Sequence, residues 1–190
     1  MRNILIAAVI LLAAPGVMAA AQPGQAYTEK NCFSIAIPAG WQKSPEVLGL
    51  SGPEEKVYGL EIAAPFSAEL PVKIGVHYYA PGNLLHKTYE KFIKLHSRPP
   101  LGVNLDGKVY GKVQDGRAGS YYAKIFERKV FEYFLKRSLH PKKIYVYEKF
   151  AVVPAKSGFF VLRYYAPMSQ AKVGLAAYEA TLASFKPLAR

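Results

Sequence analysis

The feature that most constrains this chain is a run of strand-like segments with no helix between them. Turn-forming residues such as Asp115-Gly116 separate these segments. Strands that are joined by short turns pair antiparallel, so the order predicts an antiparallel sheet. The segments are rich in β-branched and aromatic residues and lie at residues 108–114, 120–134, 144–153 and 158–165.

Further strands and two helices complete the predicted fold. Phe159-Phe160-Val161-Leu162 is apolar at every position, which indicates cover on both faces of the sheet. The chain is therefore predicted to be α+β, with an antiparallel β-sheet of six to seven strands and helices on both faces, an α-β-α sandwich. Ser169 is expected to cap the second helix. The strands are predicted at residues 33–37, 57–63 and 72–79, and the helices at residues 84–96 and 169–185.

The first 21 residues have the order of a cleavable secretory signal peptide. Arg2 supplies the positive start, and an apolar run covers residues 4–14. The small residues that a signal peptidase reads follow at Ala19, Ala20 and Ala21. The apolar run is shorter than the about 20 residues that span a bilayer, and no later stretch is long enough. The mature chain is therefore expected to be periplasmic or secreted, without a transmembrane segment.

Removal of residues 1–21 leaves a short lead-in over residues 22–30 and a single domain over residues 31–188. Apolar residues make up 51% of the chain, enough to build a core. Cys32 is the only cysteine, so the exported domain has no internal disulfide and depends on packing. We expect Cys32 to be a small buried hydrophobe at a strand start, with an intermolecular disulfide as the alternative.

No segment keeps the residues that a catalytic or cofactor motif needs. Residues 102–108 have the spacing of a phosphate-binding loop, but Val109 stands where a serine or threonine is required. His86 and Glu90 have helical metal-site spacing, yet two ligands do not make a site. We therefore predict no catalytic residue, cofactor or metal. Distant residues that meet only in the fold are left open.

Positive charge is concentrated between residues 108 and 149, where eleven lysines and arginines accompany four acids. The formal net charge of the whole chain is +12, which favours anionic partners. Residues 135–143 are predicted to be the tip that joins two long strands, with aromatic residues on either side. The candidate site for an anionic partner, called the basic hairpin below, consists of Lys136, Arg137, His140, Lys142 and Lys143.

Basic residues that alternate with aromatic ones can bind nucleic acid or anionic lipid. An exported protein rarely meets nucleic acid, so an acidic protein, anionic lipid or anionic glycan is the expected partner. Two alternatives remain. The basic hairpin could protect its own strand edges from aggregation, or the lysines could serve only solubility.

Three segments resemble the PsbP-like family, whose namesake is the extrinsic oxygen-evolving protein of photosystem II. They are CFSIAIPAGW at residues 32–41, GFFVLRYYAP at residues 158–167 and LASFKPL at residues 182–188. Their order and spacing fit a domain over residues 28–188. The resemblance implies a central antiparallel sheet flanked by helices and an accessory role, because members mostly bind or help to assemble other proteins. Functions differ within the fold, so no partner or binding residue is carried over.

The chain departs from that family in its bacterial type of export signal and its strongly basic charge. The leading hypothesis is an exported, non-enzymatic accessory protein that binds or helps to assemble an envelope or secreted partner, with the basic hairpin as the candidate surface. One alternative is a periplasmic hydrolase whose site forms only in the fold. The other is a peripheral protein on anionic membrane lipid.

The signal peptide predicts where the mature chain begins. N-terminal sequencing of the protein from its native host should start at Ala20, Ala21 or Gln22, because the signal peptidase cuts after small residues. Recovery of a cytoplasmic chain that still begins at Met1 would contradict the prediction of export.

Overall fold

A computed structural model describes residues 24–44, 56–65, 70–102, 105–134 and 139–188 of the chain. The predicted signal peptide lies outside these ranges. None of the helices within them has the length and apolar character that crossing a membrane requires.

Eleven strands and two α-helices are described. The strands are β1 (Gln25–Glu29), β2 (Phe33–Ile37), β3 (Gln42–Lys43), β4 (Val57–Ala63), β5 (Lys73–Tyr79), β6 (Val109–Tyr110), β7 (Gln114–Ala118), β8 (Tyr121–Phe134), β9 (Lys142–Pro154), β10 (Phe159–Pro167) and β11 (Lys186–Pro187). The helices are α1 (Tyr89–His96) and α2 (Leu175–Ser184), with a 3₁₀ turn at Met168–Gln170.

Eight of the described strands form one antiparallel sheet, in the order β3-β4-β5-β10-β9-β8-β6, with β7 also paired to β8. A smaller sheet has the order β1-β2-β11. The long strands β8 and β9 form a hairpin whose outer end extends beyond the neighbouring strand β10, because the pairing of β10 with β9 ends at Pro167 and Val146. This hairpin carries the predicted basic residues.

The main core lies between one face of the large sheet and the layer made by β2 and α2. Alternate residues of a strand point to the same face, so Phe160, Leu162 and Tyr164 of β10 all enter this core. The ring of Phe160 meets Phe33 of β2 edge-on, with 6.4 Å between ring centroids, and both side chains are fully buried. Cys32 is buried next to β2, as predicted.

The opposite face of the large sheet carries a second, smaller aromatic cluster. Phe92 of α1 packs there against Tyr79 and Phe159, whose rings stack with 4.7 Å between centroids. Phe150 extends the cluster onto the next strand, β9. Beyond Phe150 the same face carries charged side chains, which form the polar region described below.

The first helix is shorter than predicted and begins at Tyr89 instead of residue 84. Asn83 is the physical reason, because its side chain organises a loop there. Its Oδ1 accepts from the backbone N–H of His86 at 2.7 Å, and its Nδ2 donates to the carbonyl oxygen of Ala80 at 2.9 Å. Such local bonds compete with helix formation. Thr88 then caps the helix, accepting from the N–H of Lys91.

The second helix also begins later than predicted, and the predicted capping role of Ser169 is wrong. The helix starts after Gly174, and the preceding 3₁₀ turn has no side-chain cap. The Tyr164 hydroxyl of the sheet holds the intervening turn, donating to the carbonyl of Ala171 and accepting from the N–H of Gly174. A Cβ at Gly174 would lie 2.9 Å from that hydroxyl, so the close approach requires glycine.

The strands predicted at residues 33–37 and 57–63 are confirmed with the same bounds. The prediction of one strand over residues 108–114 and a turn at Asp115-Gly116 is wrong, because β7 runs through both of these residues. A Cβ at Gly116 would lie 2.4 Å from Cδ1 of Ile125 on the paired strand. This glycine therefore marks a close approach within a sheet rather than a turn.

The predicted antiparallel sheet is confirmed, with more strands than expected and with a second small sheet that the sequence did not reveal. The prediction that a layer of helices covers each face of the sheet is not confirmed. A three-stranded sheet accompanies α2 in the main core, and α1 has only eight residues.

Trp41 packs against the main core but is only partly buried. Trp41→Ala should therefore lower the free energy of unfolding by less than Phe160→Ala, which we expect to cost about 3–5 kcal/mol as a fully buried aromatic residue. Denaturant unfolding of the two variants under the same conditions measures the difference. Equal losses would show that the Trp41 ring contributes as a fully buried residue.

Candidate functional site

The structure places the basic hairpin only in part, and it corrects the predicted loop. Lys136 and Arg137 lie outside the described residues. Lys142 and Lys143 belong to strand β9, which begins at Lys142, so they are not part of a connecting tip. His140 lies just before this strand and is exposed. Ladder pairing continues to the end of the hairpin, where Phe134 is opposite Lys142.

Lysine side chains lie on aromatic rings at the outer end of this hairpin. The ammonium groups of Lys143 and Lys108 lie 4.2 Å and 4.6 Å from the centroid of the Phe131 ring. The ammonium group of Lys129 lies 4.5 Å from the Tyr145 ring. We call these five residues the basic–aromatic surface. Cations above ring faces are attracted by the ring quadrupole, which gives each lysine a preferred position.

One of these lysines already holds a carboxylate of the same chain. The Nζ atom of Lys143 lies 2.5 Å from Oδ2 of Asp106, and both side chains are partly exposed. The Tyr145 hydroxyl also donates to the backbone carbonyl of Asp106 at 3.3 Å. The basic–aromatic surface therefore binds an acidic group in a defined geometry.

The opposite face of the same strands carries a buried ionic network that the sequence did not predict. The Glu148 side chain is 1% exposed and lies between Arg128 on β8 and Arg163 on β10. Arg163 Nε donates to Oε1 of Glu148 at 2.7 Å, and Arg128 Nε donates to Oε2. Burial alone raises the pKa of the Glu148 carboxyl, but the two guanidinium groups hold that pKa below its usual value.

A second ion pair lies further along this face. Lys73 Nζ on β5 is 3.3 Å from Oε2 of Glu61 on β4, and the Glu61 side chain is buried. Together with Glu148 and its two arginines, this pair forms what we call the polar face, which crosses five adjacent strands. A cavity of about 170 Å³ lies beside Glu61, Lys73 and Arg163.

A smaller cavity, of about 110 Å³, lies between the polar face and α1. Arg163 lines both cavities, which places them side by side on the sheet. We call the smaller one the histidine pocket. The described residues that line it are His77, Tyr79, His86, Phe92, His96, Arg128, Phe150, Val161 and Arg163.

Aromatic contacts organise the histidines of this pocket. The rings of His86, Phe92 and His96 contact one another, with 4.9 Å between the centroids of His86 and Phe92, 4.2 Å between those of Phe92 and His96, and 5.6 Å between those of the two histidines. His96 also stacks with Phe150 at 5.7 Å, and Arg128 Nη1 donates to its backbone carbonyl oxygen. These contacts bring together residues from the α1 region, β8 and β9.

Burial and nearby arginines keep the histidines neutral. Burial, then Arg163, lowers the pKa of His77 to about 4. Burial, then Arg128, lowers the pKa of His96 to about 3. Burial also lowers the pKa of His86. At neutral pH the pocket therefore combines two guanidinium cations, one carboxylate and uncharged imidazole rings.

The alternative hypothesis, a hydrolase whose site forms only in the fold, requires catalytic side chains that converge in a pocket such as this one. Residues distant in sequence do converge there. The described residues that line it include no serine, threonine or cysteine, and the side-chain hydroxyl among them belongs to Tyr79. Within the described ranges, no group of three or more histidine, cysteine, aspartate or glutamate residues could hold a metal ion. The pocket's arginines and rings are suited to binding.

The amino-acid sequence does contain a signal for the polar face and the histidine pocket. His77, Glu148 and Arg163 each interrupt a strand that is otherwise largely apolar. If such strands are covered on both faces, an ionisable residue among them must be buried, and buried charges need partners. The near-repeat HYYAP at residues 77–81 and RYYAP at residues 163–167 also begins with two of these residues.

Comparison of the sequence with models of known protein families gives no match, and comparison with curated proteins gives none either. The fold is similar to solved structures. One, from Bacteroides thetaiotaomicron, has a TM-score of 0.54 and 10% identity over 87% of this chain and 49% of that one. This chain thus spans about half the length of that structure.

Two further similar structures have TM-scores of 0.46. LpqN, which is involved in cell envelope biogenesis of Mycobacterium tuberculosis, is 16% identical over 88% of this chain and 87% of its own. A cyanobacterial PsbP from Synechocystis is 12% identical over 93% of this chain and 98% of its own. The second of these structures carries the name of the family that the sequence resembles. At these identities the likeness concerns the fold alone.

The neutral histidines predict how stability depends on pH. Histidine in the unfolded chain has a pKa near 6.5, whereas His77 and His96 have folded pKa values of about 4 and about 3. Between these values only the unfolded chain binds the proton, so the free energy of unfolding should fall as pH decreases from 6.5. Each histidine contributes up to about 1.4 kcal/mol per pH unit.

Urea unfolding at several pH values between about 6.5 and 5 measures this slope. The variant His96→Phe should make the decline shallower, because it removes one of the protons that the unfolded chain takes up. Phe150→Leu is the control, because it disturbs the ring that stacks with His96 without removing a histidine and should leave the slope unchanged. An equally steep decline in the His96→Phe variant would show that His96 does not titrate as a buried neutral group.

Proposed function

We propose that this chain is an exported, non-enzymatic binding protein that holds an acidic protein partner of the cell envelope or secreted space. The basic–aromatic surface and the rest of the basic hairpin would form the contact. The proposal rests on one observation. The ammonium groups of Lys108, Lys129 and Lys143 lie over two aromatic rings at the projecting end of the hairpin.

The ring contacts matter because they limit the motion of the lysine side chains. A lysine that is already positioned loses less conformational freedom when it binds a carboxylate. The pairing of Lys143 with Asp106 is an example of such an interaction within the chain. A partner with several acidic side chains would extend that pattern to Lys129 and Lys108.

The strand edges of the hairpin favour a protein over a lipid surface. Beyond Lys129, the last residue of β8 paired with β6, no other described strand pairs with the outer edge of β8. On the other side, the pairing of β9 with β10 stops at Val146. A protein segment can add to such edges through backbone hydrogen bonds, whereas lipid headgroups cannot form a strand ladder.

The proposal predicts a salt-dependent interaction that depends on this hairpin. Replacing Lys108, Lys129, Lys142 and Lys143 with glutamine should reduce affinity for the partner about tenfold or more, since each exposed ion pair contributes about 0.2–1 kcal/mol. Increasing ionic strength should weaken the wild-type complex, because the Debye length is about 8 Å at physiological salt. The fold should be retained, since these four lysine side chains are exposed or partly exposed.

A matched control removes the same charge elsewhere. Lys87, Lys91, Lys94 and Lys172 are exposed and lie on or near the two helices, so their glutamine variant should bind like the wild type. Capture from native envelope extract, identified by mass spectrometry, is measured for all three proteins, alongside binding to phosphatidylglycerol vesicles. Equal capture by both variants would refute the role of the hairpin. Hairpin-dependent binding to vesicles alone would identify a membrane surface and refute the acidic protein.

A further inference from the structure

The histidine pocket contains buried nitrogen atoms that lack hydrogen-bond partners within the part of the chain that the structure describes. They are Nε2 of His77 and both ring nitrogens of His96. His77 is only 5% exposed and lines the cavity. Buried polar groups in proteins are nearly always hydrogen-bonded. Three such nitrogens around one cavity therefore point to a molecule that enters it and supplies their partners.

The sheet beneath the pocket is built to hold the His77 ring. Gly59 and Gly75 flank this residue on the same face, and both leave room for the imidazole. A Cβ at Gly59 would lie 2.8 Å from Cδ2 of His77, and one at Gly75 would lie 3.1 Å from Cε1. The ring thus occupies a recess in the sheet made by two residues without side chains, which gives it a defined position at the cavity wall.

The charges around the pocket favour an anion. Arg128 and Arg163 share the carboxylate of Glu148, and no acid is among the described residues that line the pocket itself. Glu61 and Glu132 line the neighbouring cavity, where Lys73 pairs with Glu61. Each guanidinium group has five N–H donors, more than its contacts with Glu148 employ. Arginine recognises carboxylates through paired N–H donors, and a neutral imidazole N–H adds a further donor. One negative charge is the best complement to this arrangement.

The walls favour an organic ligand over an inorganic ion. Phe92, Phe150 and Val161 are buried and line the cavity with apolar surface, and Tyr79 adds a further ring. A small hydrated ion gains little from such walls, whereas an apolar body is removed from water there. The cavity volume of about 110 Å³ limits that body to a short alkyl chain or a single ring.

We propose that the histidine pocket binds a small organic monocarboxylate, with its carboxylate toward the two arginines and the imidazole rings of His77 and His96, and its apolar part against Phe92 and Phe150. This site is on the opposite face of strands β8 and β9 from the basic–aromatic surface, and it is independent of the proposed protein partner.

Benzoate and butyrate are suitable probes, with benzamide and butyramide as neutral molecules of matched shape. The carboxylates should bind the full mature chain at least about tenfold more tightly than the amides, since hydrogen bonds to charged groups are the stronger ones. Isothermal titration measures the affinities. Equal affinity of acid and amide, no binding of either acid, or equally tight binding of chloride would each overturn the proposal.

The location is tested on the wild-type chain and on one variant. In NMR spectra of side-chain histidine resonances, the signals of His77 and His96 should shift on addition of benzoate, while that of the exposed His140 stays in place. His96→Phe preserves the aromatic contacts with Phe92 and Phe150 and removes two unpartnered nitrogens, so the variant should fold. It should bind benzoate several-fold more weakly, whereas His140→Phe should bind normally. Unchanged affinity in His96→Phe together with unshifted histidine signals would place binding elsewhere and refute this site.

Discussion

The buried carboxylate of Glu148 is the constraint on which one face of this protein depends. It is 1% exposed on the interior strand β9 and is held by one arginine from each neighbouring strand. A carboxylate in that position would be strongly destabilising if either arginine were absent, because a buried charge needs full compensation. The ion triad therefore links β8, β9 and β10. Since a shift by one residue moves a side chain to the opposite face, it also favours a single register for three long strands.

The same triad determines the electrostatics of its surroundings. Glu148 keeps both guanidinium groups at the floor of the histidine pocket, and burial, together with these cations, lowers the pKa values of His77 and His96. The cations that line the pocket are thus arginines and not protonated histidines. A triad that orders the sheet also prepares a place for an anion, because it leaves arginine donors beside a cavity that side chains do not fill.

Much of the sheet could be predicted because alternation and turns are local properties of the sequence. Strands 33–37 and 57–63 have the predicted bounds. The helix starts could not be predicted in this way, since Asn83 and the hydroxyl of Tyr164 organise the preceding turns through contacts that the helical pattern does not contain. The histidine pocket was missed for a related reason. Its residues come from α1 and four strands, and only the pairing of those strands brings them together.

The distribution of charge explains why total charge was an incomplete guide to the binding surfaces. The chain has a formal charge of +12, but on the polar face the cations are matched by buried acids, as Lys73 is by Glu61. On the opposite face of the hairpin, Lys129 and Lys143 lie on aromatic rings at the surface instead. The two faces of the same two strands therefore present different chemistry. One holds its charges in a low-dielectric interior, where a small anion would experience them strongly, and the other presents them to solvent, where they act on a partner at longer range and are screened by salt.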